Sequence, residues 1–405
     1  VDSLVQRNRL WRRLACAVAA LPEPPPAPVL AVDLEAFDAN AADLVRRAGG
    51  TPVRVASKSL RVPALLDRVL ARPGFHGVLA YTLREALWLH ERGTTDDLLV
   101  GYPTVDRPAL GTLLRSPSAL AAVTVIVDDV AHLDLVDAAR QDGDPTPVRV
   151  AIDVDAGLRL GPQLVGPKRS PLHDPEDVVR LAREVLSRDG FRLVGVMTYE
   201  GQVAGVPDDV PGHRLRSALV RGLKAASLSE LADRRRRVAT ALAPLVDLEL
   251  WNAGGSGSIV ESAGDPVVTE VSAGSGLLVP TLFDHYRGFT PRPAAYVGLP
   301  VTRRPSAEVA TVHGGGYIAS GPAGDDRVPR PWLPPGLHLT GLEGAGEVQT
   351  PLTGHPAATL AIGDLVWFRH AKSGEPFEHG TRVHLLAGDR FVDVVPTYRG
   401  EGQAW

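Results

Sequence analysis

Eight short apolar runs, interrupted by segments with helical spacing, limit the possible folds of this chain more than any other feature. The runs lie near residues 52–57, 77–81, 97–101, 122–127, 148–153, 192–198, 247–252 and 267–272. Helical or loop-plus-helix segments separate most of them, among these 82–92, 129–140, 174–188 and 213–244. The last pair is joined by a loop with a short helix at most. Strands alternating with helices use crossover connections, so they run parallel with both faces covered. An open doubly wound sheet and a closed (β/α)8 barrel both satisfy that rule, and the count of eight favours the barrel. The run Arg234-Arg235-Arg236-Arg237 falls within 213–244 and reads as a solvated helix face.

The flanks differ in character. Residues 1–20 space Leu10, Trp11, Leu14 and Val18 as a helix does, and Leu21-Pro22-Glu23-Pro24-Pro25-Pro26 ends it. Val29–Val32 reads as a strand, and Asp33 caps a helix that runs through Arg47 to Gly49-Gly50. From Pro291 onward, short alternating runs separated by Gly and Pro replace the helical period, which predicts an all-β domain. The expected division is a helix and linker over 1–28, a cofactor-binding barrel with its leading strand over 29–290, and the β-domain over 291–405. Pairing of strand 29–32 with the β-domain is the alternative.

At 405 residues the chain can bury two cores. Its formal net charge of −4 disfavours nucleic acid or an anionic membrane as a partner. Cys16 is the only cysteine, which excludes intrachain disulfides and a cysteine zinc cluster. No apolar stretch reaches the roughly 18 residues of a membrane span. The N-terminus lacks the pattern of a secretory signal. A cytoplasmic enzyme with a small-molecule substrate is expected.

Barrel active sites form at the C-terminal strand ends, and phosphate binds there in the loops after strands seven and eight. Lys58, one of four lysines against 39 arginines, ends the first strand. A Schiff-base nucleophile fits that position, as does an ordinary surface lysine. The seventh run continues into Trp251-Asn252-Ala253-Gly254-Gly255-Ser256-Gly257-Ser258, and the eighth into Ser272-Ala273-Gly274-Ser275-Gly276. Each is a plain turn or a phosphate cup, since glycines let successive N–H groups approach an anion. A lysine and two cups together point to pyridoxal 5′-phosphate. Arg159 is a candidate for the cofactor ring or its lysine, or else a structural partner of aspartate. Tyr199 is a phosphate donor or a packed tyrosine, and Tyr286 a candidate against the pyridine nitrogen.

The runs VRVASKS, DVDAGLRLG, TYEGQ, NAGGSGS, EVSAGSG, FDHY and GGGYIASGPAGDDRVP, in that order, resemble the fold-type III pyridoxal enzymes. Within them the resemblance is to the D-threonine aldolase and D-serine dehydratase branch. It implies an alanine-racemase-like fold, a barrel plus a C-terminal all-β domain, usually as a homodimer. It gives Lys58 the Schiff base, and Tyr199, Ser256, Gly257, Ser258, Ser275 and Gly276 the phosphate. Asn252 and Gly255 lie in the same motif, and Tyr286 faces the pyridine nitrogen.

Two positions depart from the metal-dependent members. Their second metal ligand is Cys or Asp, two residues after a histidine. Here His370 is followed by Lys372, and a protonated lysine is no ligand. A divalent metal held by His370 with Glu375, Glu378 or His379 is the remaining option. Otherwise Lys372 supplies positive charge to a substrate hydroxyl or carboxylate. Those members also carry a histidine two residues after the Schiff-base lysine, where this chain has Leu60. His313 and His379 are then the candidate bases, each with a structural hydrogen bond as the plainer role. The expected activity is a lyase cleaving a β-hydroxy-α-amino acid, of D configuration, by retro-aldol chemistry. β-Elimination of water is the near alternative. A racemase or epimerase, a non-catalytic pyridoxal-phosphate carrier and a sugar-phosphate barrel enzyme follow.

Overall fold

A computed structural model describes residues 3–141, 147–161, 163–288, 290 and 292–405. Pro291, the residue at which the sequence changes character, lies outside them. The chain divides into two compact units. One comprises Val1–Ala42, Ser59–Leu65 and Ser275–Ala404, and the other Asp43–Lys58, Leu66–Gly274 and Trp405.

The second unit is a closed barrel. Its strands are Val53–Ala56, Phe75–Ala80, Leu98–Val100, Val123–Val127, Val148–Asp153, Phe191–Thr198, Leu250–Ala253 and Glu270–Ala273. Each corresponds to one of the eight apolar runs. Neighbours pair in parallel, and the last closes on the first with Val271 opposite Val53. Leu99, Ile126, Ala151, Met197 and Leu250, from five successive strands, form one buried cluster. Gly195 is required beside it, because a Cβ there would lie 2.5 Å from Leu250 Cδ1.

Charge is buried where the strands begin. Arg54 reaches Glu270 (Nε–Oε1 2.7 Å, Nη2–Oε2 2.8 Å) and Asp97 (Nη1–Oδ1 2.8 Å). His76 stands between the same two carboxylates, at 3.1 Å from Glu270 and 3.3 Å from Asp97. Its hydrogen bonds to Asp97 and Glu270 raise its pKa to about 9. This end of a barrel serves stability, not chemistry.

The run Arg234–Arg237 is only half solvated. Arg234 and Arg235 are 1% and 2% exposed, whereas Arg236 pairs with Asp233 at the surface. Consecutive residues step about 100° around a helix, so four arginines cannot share one face. A hairpin of Leu158–Leu160 and Gln163–Val165 also follows the fifth strand, where the sequence reading expected only a strand-end loop.

The first unit carries a nine-stranded sheet. Val29–Asp33 lies inside it, antiparallel to Ala295–Ser306 and parallel to Arg382–Ala387. The leading strand thus pairs with the C-terminal strands, while the barrel closes with its own eight. All five of its residues are buried, which suits a central strand with both edges bonded. The strand Arg330–Leu333 went unanticipated because Pro331 interrupts its pattern. Helix Leu4–Ala19 starts at a capping box of Ser3 and Gln6. It lays Leu10, Leu14 and Ala17 on a cluster that includes Trp332 and Trp367. Asp33 accepts from the Glu35 amide at 3.1 Å and pairs with Arg13 at 2.8 Å. Among the described residues no helix is long and apolar enough to cross a membrane.

Candidate active site

Lys58 leaves the first barrel strand in a single turn, Ser57–Ser59. Ser57 fixes that turn by donating its hydroxyl to the Leu79 carbonyl at 3.1 Å. The half-buried Lys58 Nζ then donates to the Tyr102 hydroxyl at 2.8 Å. Tyr102 stands at the end of the third strand, where the Gly101 amide bonds the Ala80 carbonyl at 2.8 Å. Sequence reasoning passed over Tyr102, although its place in Gly101-Tyr102-Pro103 at a strand end was a usable signal.

Arg159 is exposed on the hairpin. The charges it acts on are Asp174 and Arg234. The arginine against the lysine's tyrosine partner is Arg169, with its guanidinium 5.7 Å from the Tyr102 ring centre and 5.0 Å from that of Tyr199. Each such contact contributes about 0.5–1 kcal/mol at an exposed site. Burial pushes the Tyr199 hydroxyl up to about 12, so it stays protonated and can donate. Asp153 closes the fifth strand. Burial, then the charges of Asp128 and Asp155, push its carboxyl up to about 7, against the pull of Arg169.

The loop after the seventh strand is organised by a carboxylate that the sequence reading missed. Glu200, fully buried, accepts from Ser258 Oγ at 2.7 Å, from the Gly254 amide at 3.3 Å and from the Ser262 hydroxyl. Arg235 neutralises it at 3.0 Å and reaches Asp265 at 3.2 Å. Gly254 takes φ +84°, and the Gly255 amide donates to Ser258 Oγ at 3.1 Å. The Ser258 amide bonds the Gly255 carbonyl at 2.9 Å. Ser258, expected to face a phosphate, therefore has both its hydroxyl and its amide engaged inside the turn. Asn252 also turns inward, donating to Glu270 at 2.7 Å and to Ser272 at 2.9 Å. Ser256, whose carbonyl accepts from Arg47 at 3.1 Å, and the half-exposed Gly257 remain at the loop tip. Gly255 leaves no room for a side chain, because a Cβ would lie 2.8 Å from Ala204 Cβ and 3.3 Å from the Tyr199 ring.

The sheet unit holds the other candidates. Ser59 and Ser275 hydroxyls lie 3.0 Å apart, and Ser373 donates to the Ser275 carbonyl at 3.3 Å. Gly276 is buried in the turn Ser275–Leu278. Tyr286 packs on Phe283 with ring centres 4.9 Å apart. A small surface pocket is lined by Tyr317, His370, Lys372, Glu375 and His379 among others. Lys372 pairs with Glu375 at 3.3 Å and bonds the Ser320 hydroxyl. His370 Nε2 lies 3.0 Å from Ser373 Oγ. Burial and the neighbouring Arg369 charge push its pKa down to about 3, so the imidazole is neutral. Of the two candidate bases, His379 lines the pocket, stacked on Tyr317 at 4.3 Å, and burial lowers its pKa. His313 is exposed at the end of its strand, and Leu60 is fully buried. Among the described residues, no three His, Cys, Asp or Glu side chains converge as a metal site would need. Glu375, the acid nearest His370 in sequence, is already tied to Lys372 and Ser320. The donor set does not fit a divalent metal.

Residues 32–279 match the family described as alanine racemase, N-terminal domain. The chain is 27% identical over 254 residues to a 3-hydroxy-D-aspartate aldolase of Paracoccus denitrificans (strain Pd 1222), which covers 61% of this chain. It spans only 59% of the length of that relative. Among solved structures, D-threonine aldolase from Filomicrobium marinum superposes with a TM-score of 0.75 at 22% identity, covering 93% of this chain and 95% of its own. The D-threo-3-hydroxyaspartate dehydratase from Delftia sp. HT23 gives 0.70 at 21% identity, covering 94% and 98%. These likenesses establish a shared fold.

Proposed function

The chain belongs to the family of the alanine racemase N-terminal domain, and on that premise we propose a pyridoxal 5′-phosphate-dependent lyase that cleaves a D-β-hydroxy-α-amino acid to glycine and an aldehyde. The observation that carries this reading is Lys58. Its amine stands half-buried at a C-terminal strand end, held at 2.8 Å by a tyrosine hydroxyl. The names of the aldolase and dehydratase relatives support the substrate class.

The barrel unit fits the cofactor. Gly255 has room for no side chain against Ala204 and lies close to the Tyr199 ring, Tyr199 keeps its proton, and Ser256 and Gly257 form the loop tip. These residues would hold the phosphate, with Lys58 on the aldehyde carbon. The roles of Ser275, Gly276 and Tyr286 rest on the resemblance, as does a homodimer. When bound, the cofactor supplies an electron sink for the pair released at the substrate's Cα. Tyr102 orients the Lys58 amine and can exchange a proton with it. The candidacies of His379 as base for the β-hydroxyl proton and of Lys372 as cation for the substrate's oxygen, where metal-dependent relatives would use a metal, rest on the sequence and its resemblance alone.

Borohydride reduction of the cofactor-loaded protein, followed by peptide mapping, tests the premise. The expected result is covalent capture on Lys58 and loss of the visible cofactor absorbance in Lys58→Ala. Capture on another lysine, or no cofactor uptake, refutes the reading. Glycine release from D- but not L-β-hydroxy amino acids supports cleavage. Release of ammonia and a keto acid instead assigns β-elimination.

A further inference from the structure

We propose that Arg169 binds a carboxylate of the amino-acid substrate; this deepens the lyase reading and rests on it. The surrounding sequence, Gly166-Pro167-Lys168-Arg169-Ser170-Pro171, gives no reason for an arginine to hold one position. Its neighbour supplies the reason. Ser170, itself buried, donates its hydroxyl to the Asp153 carbonyl at 2.7 Å and accepts from the Leu172 amide at 3.0 Å. The Asp155 amide bonds the Leu172 carbonyl at 2.8 Å. These bonds lace the loop onto the end of the fifth barrel strand and set Arg169 beside Tyr102 and Tyr199.

The guanidinium is seated by aromatic faces and not by an acid. Two tyrosine rings at 5.7 and 5.0 Å hold it, and among the described residues no carboxylate lies within ion-pair distance of it. Arg54, Arg235 and Arg369 are each buried against carboxylates. Arg169 is exposed, with its N–H fork available to a planar anion. Asp153, the acid it acts on, is held high by burial and by Asp128 and Asp155, so it neutralises Arg169 only in part near neutral pH.

Geometry relates this cation to the lysine. Tyr102 touches Arg169 with its ring and binds Lys58 Nζ with its hydroxyl. A substrate amine that displaced Lys58 from the cofactor's aldehyde carbon would carry its α-carboxylate a few bonds away, within reach of the guanidinium.

The test compares wild type, Arg169→Gln and Arg169→Lys as cofactor-loaded enzymes, on D-threonine and on 3-hydroxy-D-aspartate. Titration with succinate is the binding readout that does not depend on turnover. Losing a charge-assisted contact is expected to raise KM about 10- to 100-fold in Arg169→Gln with a smaller change in kcat. Arg169→Lys recovers part of it, and cofactor absorbance and thermal midpoint stay unchanged. A KM rise on both substrates assigns the α-carboxylate; a rise confined to 3-hydroxy-D-aspartate assigns the distal one. Unchanged KM and succinate affinity overturn the proposal, as does loss of cofactor absorbance in Arg169→Gln. If wild type cleaves neither substrate, the lyase reading fails, and Arg169-dependent succinate binding still decides the assignment of the anion site.

Discussion

Replacing Glu200 by glutamine tests the architecture of the barrel mouth most directly. Glu200 is fully buried and is met by Arg235, Ser258, Ser262 and the Gly254 amide. Removing one member of a buried ion pair destabilises by about 3–5 kcal/mol. Arg235 retains Asp265 at 3.2 Å, which lowers that figure. The glutamine can keep its carbonyl oxygen towards Arg235 and the Gly254 amide, but its NH₂ group then makes the Ser258 and Ser262 hydroxyls reverse from donors to acceptors. The weakened bonds from the serines and the Gly254 amide are part of that loss. The expected total is about 3–4 kcal/mol. For a unit of this size, at roughly 2–4 °C per kcal/mol, the barrel melts about 6–15 °C lower. Calorimetry with chemical denaturation as a cross-check reads it. Arg236→Ala, in the same arginine run but on a surface pair, is the control and changes stability by about 0.5 kcal/mol or less. A Glu200→Gln loss below about 1 kcal/mol, or one equal to the control, would refute the reasoning.

Three further outcomes are expected. His76 has its pKa raised to about 9, so its contribution to stability is complete below its unfolded value, about 6.5, and is lost as pH rises through about 9. Thermal midpoints between pH 6 and 10 should fall in wild type and flatten in His76→Gln. In Gly255→Ala the new Cβ, 2.8 Å from Ala204, overpacks the loop. About 1–3 kcal/mol of stability is lost, and equilibrium dialysis should show weaker cofactor binding. Turnover should survive a chelator, because Lys372 takes the place of a ligand and Glu375 is tied to it; loss of activity restored by a divalent ion would contradict the role given to Lys372.

The barrel was legible because its evidence is local. Each strand is an apolar run of a few residues, and Lys58 and the glycine loop sit where such runs stop. What escaped depended on pairings distant in sequence. The packing of Arg169, and not Arg159, on Tyr102 and Tyr199 follows from the bonds of Ser170 to Asp153 and Leu172. The inward turn of Arg235 follows from Glu200, 35 residues earlier. Ser258 looked like a phosphate donor because nothing in its neighbourhood announces that a buried glutamate claims its hydroxyl. The Val29–Asp33 strand carries an apolar pattern that suits either unit, and only its two neighbours decide the matter.

That strand has a consequence for how the molecule is made. Leu30 is bonded beside Val297 on one side and Val383 on the other. Contacts so far apart in sequence form slowly, since the intervening chain has to close as a loop first. On the ribosome, the barrel strands emerge and can close while the segment Val29–Asp33 still waits for both neighbours. Both edges of this apolar strand stay open until residues 295–306 are released, and one stays open until residue 387 is. Completion of the sheet therefore waits for strands that follow the whole barrel in sequence, and a segment synthesised before the barrel is among the last to find its place.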